Sequence, residues 1–114
     1  MISQNESSPV QNAFRALADP TRRGILKLLG EQEMTIGDVC GHFNMTRAAV
    51  KKHLNILEEG NLISVRVNGR ERINSLEAQG LKAPLDWLNY FEHFWTERLC
   101  KLHEVLEEEK NDKK

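Results

Sequence analysis

Long apolar runs, clustered cysteines and phosphate-binding glycine loops are all missing from this chain of 114 residues. No stretch approaches the ~20 consecutive apolar residues that cross a bilayer, so no membrane segment is expected. The opening residues, MISQNESSP, lack the charged and apolar regions of a signal peptide. The two cysteines, Cys40 and Cys100, stand far apart and outside any CxxC pattern. That argues against a disulfide framework or a paired-thiol metal site and fits a reducing cytoplasm. No nucleophile motif occurs, and no carboxylate pair is placed for acid–base work, Glu58-Glu59 being a helix end; an enzyme is not expected. Internal repeats and low-complexity linkers are absent too. So is a strong net charge: 16 Lys and Arg stand against 17 Asp and Glu, for −1. The neutral total hides segregation. Residues 44–57 carry Arg47, Lys51 and Lys52 without an acid, whereas Glu104, Glu107, Glu108 and Glu109 follow one another without a base. Only the local field at a contact face decides whether a polyanion binds.

What is present is a soluble globular composition, 39% hydrophobic and 29% charged, sized for one domain over 1–114 with a small core. The polar ends, 1–9 and 110–114, are expected to be disordered. Val10, Phe14, Leu17 and Ala18 space as a first helix. Asp19-Pro20 is an N-cap followed by proline at the first helical position, and the second helix presents Ile25, Leu26, Leu28 and Leu29 before Gly30. Thr35-Ile36-Gly37-Asp38 resembles a capping box and opens a short helix to about Phe43. After the turn at Asn44-Met45, Thr46 caps a fourth helix that Gly60 stops. On that helix Leu54 and Leu57 fall within about 40° of Val50 and define with it a core stripe. Ala48, Lys51, Lys52 and Asn55 lie opposite, with Arg47 at the edge. A basic face free of carboxylates fits a DNA major groove: lysines reach phosphates, arginine forks onto guanine and alanine permits close approach. An ordinary amphipathic surface helix has the same core stripe.

Beyond Gly60 the period changes to two. Leu62–Val67 and Glu71–Leu76 read as strands around Asn68-Gly69-Arg70, and Asn-Gly is a hairpin signal. A three-residue loop pairs Val67 with Glu71, Val65 with Ile73 and Arg66 with Arg72. It is preferred over a two-residue loop because it gathers Ile63, Val65, Val67 and Ile73 on one face. Arg66 and Arg72 then sit side by side on the outer face with Arg70 at the tip, a pairing that suits a phosphate between them; a merely solvated hairpin is the alternative. From about Pro84 to Glu109 runs one long helix. Leu85, Leu88, Phe91, Trp95, Leu99, Leu102 and Leu106 form one apolar stripe, with Trp87, Tyr90 and Phe94 beside it. Each large side chain left in water forfeits roughly 1.5–3 kcal/mol of burial. A second copy of the helix, joined by Phe14, would cover the stripe in a two-fold dimer; folding back on its own domain is the alternative.

The order helix, helix, helix-turn-helix, hairpin, long helix is a mainly α winged helix-turn-helix with a small antiparallel β-hairpin and a C-terminal dimerisation helix. FRALADPTRRGILKLL (14–29), HFNMTRAAVKKHLNILEEGNLI (42–63) and VNGRERINSL (67–76) resemble the ArsR family of bacterial transcriptional repressors. YFEHFWTERLCKLHEVLEEE resembles a non-metal branch of it. The resemblance implies a homodimer on a pseudo-palindromic double-stranded DNA operator. Arg47 and Lys51 would stand at base-reading positions, Thr46 and Lys52 at phosphates, and Arg70 and Arg72 in the wing; His53 would serve packing and hydrogen bonding. The paired cysteines of metal-sensing members are replaced by Thr35 and Gly37. His93 and His103 stand ten apart, with no Asp two residues before His93, so no metal site or cofactor is expected. A metal-responsive member, or a winged helix that binds protein and not DNA, is the remaining alternative. The latter would not need a carboxylate-free face together with an arginine-edged wing.

Overall fold

The computed structural model describes residues 8–112, with side chains through Glu109. The expected disorder at 1–9 and 110–114 falls largely outside that range; Ser8 and Pro9 open the first helix, and the last runs to Asp112. The chain divides into two compact units between Pro84 and Leu85.

Each of the first four helices starts on a side-chain hydrogen bond. The Ser8 hydroxyl accepts from the Gln11 amide at the start of α1 (Pro9–Leu17). The Asp19 carboxylate accepts from the Arg22 amide at the start of α2 (Pro20–Glu31), a bond that holds its pKa below the ordinary carboxylate range. Thr35 and Asp38 cap each other reciprocally, both at 3.1 Å, around α3 (Ile36–Cys40). The Thr46 hydroxyl accepts from Ala49 at the start of α4 (Arg47–Glu59). Such caps contribute about 1 kcal/mol each. The third helix stops at Cys40, short of the expected Phe43.

Ile25, Val39, Val50, Leu57 and Leu62 are completely buried in the core, and the stripe expected on α4 is buried. In α1 the fully buried residues are Ala13 and Ala16, while Val10, Phe14 and Leu17 are half-buried and Ala18 is exposed. Small side chains face inward there because α1 and α4 approach closely. A Cβ at Gly60 would stand 2.9 Å from the Asn12 carbonyl oxygen. Gly60 therefore serves that contact, and the left-handed residue ending α4 is Asn61, at φ 60°. The Asn61 amide bonds Glu58 O and the Leu62 amide bonds Leu57 O, closing the last turn in a Schellman motif.

The sheet has three strands, not two. β1 (Met34–Thr35) pairs with β3 (Glu71–Leu76), which pairs in turn with β2 (Ile63–Asn68), all antiparallel. The expected register is off by one: Asn68 pairs with Glu71, Val67 with Arg72, Arg66 with Ile73 and Val65 with Asn74. The loop is the two residues Gly69-Arg70, and Gly69 takes φ 67°, which suits glycine at the first central position of a hairpin turn. The shift turns every β3 side chain over. Asn74 comes to the core face, where it is 3% exposed and donates to the Met34 carbonyl at 3.2 Å. Ile73 goes to the face of Arg66. A 3₁₀ turn, Ala78–Leu81, follows β3.

In the C-terminal region the expected single helix is two: α5 (Lys82–Asn89) and α6 (Glu92–Asp112). Pro84 is the third residue of α5, where no intrahelical N–H bond is lost. The break follows from tightened bonds, Tyr90 N to Trp87 O and Phe91 N to Leu88 O, across Asn89-Tyr90-Phe91, three residues of modest helix propensity.

Candidate nucleic-acid interface

The α3–turn–α4 hairpin sets the exposed face of α4 beside the wing. Arg47, Lys51, Arg70 and Arg72 line one open cavity of about 320 Å³ together with Thr35, Ile36, Gly37 and Glu71. Lys51, Asn55 and Arg72 continue into a second, of about 190 Å³, with Glu58 at its edge. Arg47 and Lys51 on α4, 19 to 25 positions from Arg70 and Arg72 in the hairpin, thus put four cations on one concave surface, and Lys51 and Arg72 belong to both parts. Thr46, Ala48 and Lys52 are exposed on the same helix but line neither cavity; the Thr46 hydroxyl is engaged as the cap of α4.

Arg66 is not part of this surface. The one-residue register shift puts it on the opposite face of the hairpin from Arg72, so the two do not sit side by side. Its guanidinium grips Glu33 with both terminal nitrogens, each at 2.6 Å, and Ser75 Oγ donates to the same carboxylate at 3.0 Å. Arg66 first, then Ser75, hold the Glu33 carboxyl well below its ordinary 4.5, at about 2. The clamp joins β2, β3 and the residue preceding β1. Its acid lies 33 positions from its arginine, and no local spacing signals it.

A second clamp was also hidden in the sequence. Arg22 donates from Nε to Ala16 O at 2.9 Å and from Nη2 to Arg15 O at 3.0 Å, while Nη1 lies 3.2 Å from His53 Nδ1. Arg23 donates to Leu17 O at 2.8 Å. The double arginine after Asp19-Pro20 therefore satisfies the open carbonyls at the end of α1, and His53 makes the hydrogen bond expected of it.

In the C-terminal unit Leu85, Leu88, Phe91, Trp95, Leu99 and Leu102 are all exposed, Trp95 at 61% and Leu99 at 62%. Aromatic contacts hold Trp87, Tyr90 and Phe91 together around the helix break, with ring centroids 5.2 and 4.9 Å apart. Arg98 lies 4.7 Å over the Phe94 ring. His93 lines a shallow cavity with Glu92, Thr96, Glu97 and Cys100, and His103 contacts Glu107 at 3.8 Å. Among the described residues no three His, Cys, Asp or Glu side chains converge on a metal position, and no helix is long and apolar enough to cross a membrane.

Known proteins resemble this chain in sequence and in fold. The family described as bacterial regulatory protein, arsR family, matches residues 19–65. The chain is 39% identical over 82 residues to the transcriptional repressor SdpR of Bacillus subtilis, covering 72% of this chain and 91% of that protein. It is 32% identical over 100 residues to the HTH-type transcriptional regulator Rv2034 of Mycobacterium tuberculosis, covering 88% and 91%. Among solved structures, the ArsR family transcriptional regulator RHA00566 superposes with a TM-score of 0.70 at 31% identity, over 77% of this chain and 91% of that one.

Proposed function

The chain belongs to the ArsR family of bacterial transcriptional regulators, and from that premise we propose that it acts in the cytoplasm as a homodimeric repressor on a pseudo-palindromic operator. The observation that carries the reading is the joint cavity of α4 and the wing, where Arg47, Lys51, Arg70 and Arg72 converge. In the complex α4 enters the major groove. Arg47 and Lys51 read base edges, with Asn55 and Ala48 facing the same groove. Arg70 and Arg72 follow the phosphate backbone, joined by Lys52 and the Thr46 end of the helix. Arg66, held by Glu33, takes no part.

Two copies meet through the exposed apolar face of Leu85, Leu88, Phe91, Trp95, Leu99 and Leu102. A two-fold axis then sets the paired α4 helices about 34 Å apart, one duplex turn. Selection of binding sites from random DNA tests the reading. It should return an inverted repeat with half-sites one turn apart, and Arg47→Ala or Lys51→Ala should weaken that operator by about 1–3 kcal/mol while relaxing its sequence preference. Recovery of no motif, or equal losses on operator and random DNA, refutes base reading by this helix.

A further inference from the structure

The hydrogen bond at His53 has a position that concerns DNA as well as folding. Taking Val50 as the inward direction of α4, Arg47 stands about 60° to one side and His53 about 60° to the other, at 100° per residue. The core stripe is thus flanked by a groove residue and by an imidazole anchored elsewhere. That anchor is Arg22, which holds Ala16 O and Arg15 O at the end of α1 and points Nη1 at His53 Nδ1. A guanidinium can only donate, so in this hydrogen bond Nδ1 is the acceptor.

We propose that His53 is a positioning residue for DNA binding: through Arg22 it fixes the rotation of α4 about its own axis, and protonation of its ring releases that hold. The inference rests on the reading of α4 as the groove-entering helix. With side chains reaching about 5–6 Å from the axis, a 10° rotation moves Arg47 and Lys51 by about 1 Å, enough to spoil a two-pronged contact with a base. An imidazole gains or loses its proton between pH 5 and 8. A proton on Nδ1 removes the acceptor and sets a cation against the guanidinium. Of the charged groups on elements packed against α4, Arg22 opposes that proton and Asp19, at the start of α2, favours it. Arg15 of α1 is paired with Glu59, Asp38 of α3 with the Thr35 amide, and Arg66 of β2 with Glu33.

The test compares wild type, His53→Asn, which keeps an acceptor near Nδ1 but does not titrate, and His53→Phe, which fills the space without an acceptor. Operator affinity is followed from pH 8 to 5.5 by fluorescence anisotropy, with thermal melts confirming that each variant is folded. The ring tautomer is read by ¹⁵N NMR in the DNA-free protein. Nδ1 should be bare at pH 8. Wild-type affinity should fall relative to His53→Asn by about tenfold toward pH 5.5, the order set by one charge-assisted hydrogen bond. His53→Phe should be weakened at every pH. A proton found on Nδ1, or a His53→Phe protein that matches the wild-type affinity and pH profile, overturns the inference alone. Failure of the wild type to bind operator at any pH overturns the DNA reading beneath it.

Discussion

Replacing Arg72 and Arg66 in turn separates the basic cavity from the arginine clamp. The two residues are six apart on one hairpin, yet the observed register sends them to opposite faces. Arg72 lines both parts of the cavity, and Arg66 gives both terminal nitrogens to Glu33. In a dimer, Arg72→Ala removes two phosphate contacts, and the slope of log affinity against log salt becomes shallower by about 1.8, at ~0.9 per contact. Salt raised from about 50 to 200 mM spans roughly 0.6 log units, so the variant should lose roughly twelvefold less affinity than the parent over that range. Arg66→Ala should leave the slope unchanged, because the charge it removes was already neutralised and faces away. Fluorescence anisotropy with a labelled operator at five salt concentrations measures both. Equal shallowing by the two variants would refute the assignment of faces, and an unchanged slope for Arg72→Ala would remove the wing from the interface.

Three further outcomes follow from the same contacts. Gly80→Ala should destabilise the fold by about 1–3 kcal/mol, because the new Cβ would land on the Asn61 carbonyl oxygen; an unaltered urea midpoint would contradict that packing. Glu33 titrates at about 2 in the folded chain against an ordinary 4.5, so its stabilising effect is complete above pH 4.5 and is lost as the pH falls toward 2. The difference in melting temperature between wild type and Glu33→Gln should therefore narrow steadily on acidification below 4.5, and a difference independent of pH would show that the clamp does not act through the ionised carboxylate. Trp95→Glu should yield monomers by sedimentation, since a charge would replace a 61% exposed indole at the proposed two-fold contact; a persisting dimer would place the interface elsewhere.

Features set by neighbours in sequence were legible, and features set by distant ones were not. Ser, Asp and Thr caps act within three residues, so Asp19, Thr35 and Thr46 announced their helices. The α4 stripe and its basic face followed from the helical period alone. The hairpin register did not. The patterning argument counted Ile73 as a core residue and Asn74 as polar surface, but the conformation of Gly69 favours a two-residue loop. The short strand at Met34-Thr35, 40 residues away, receives the Asn74 amide, so a buried polar residue fits where an apolar one was expected. A comparable separation, 33 positions, concealed Glu33 from Arg66. The break at Tyr90-Phe91 escaped notice because apolar spacing continues across it, and spacing does not report a tightened hydrogen bond.

The sorting of acids explains how a chain of net charge −1 presents a cationic groove. Across its two parts the cavity holds Arg47, Lys51, Arg70 and Arg72 against Glu58 and Glu71; four cations less two acids leaves +2 per protomer. Asp38, close by in sequence, is turned onto the Thr35 amide, and Glu33 is consumed by Arg66. The run of glutamates at 104–109 lies on α6, in the other unit. At ~0.1 M salt an exposed charge acts mainly within about 10 Å, so the charges lining the groove, +2 in sum, act most strongly on a polyanion that enters it. By that reasoning Glu71→Gln, which raises the balance from +2 to +3 inside the cavity, should increase affinity for random DNA as well as operator. The same exchange at Glu107, which lines neither part of the cavity, should give a smaller gain. Parallel titrations of the two variants at ~0.1 M salt decide the point, and an equal gain from both would mean that net charge, not its placement, controls binding.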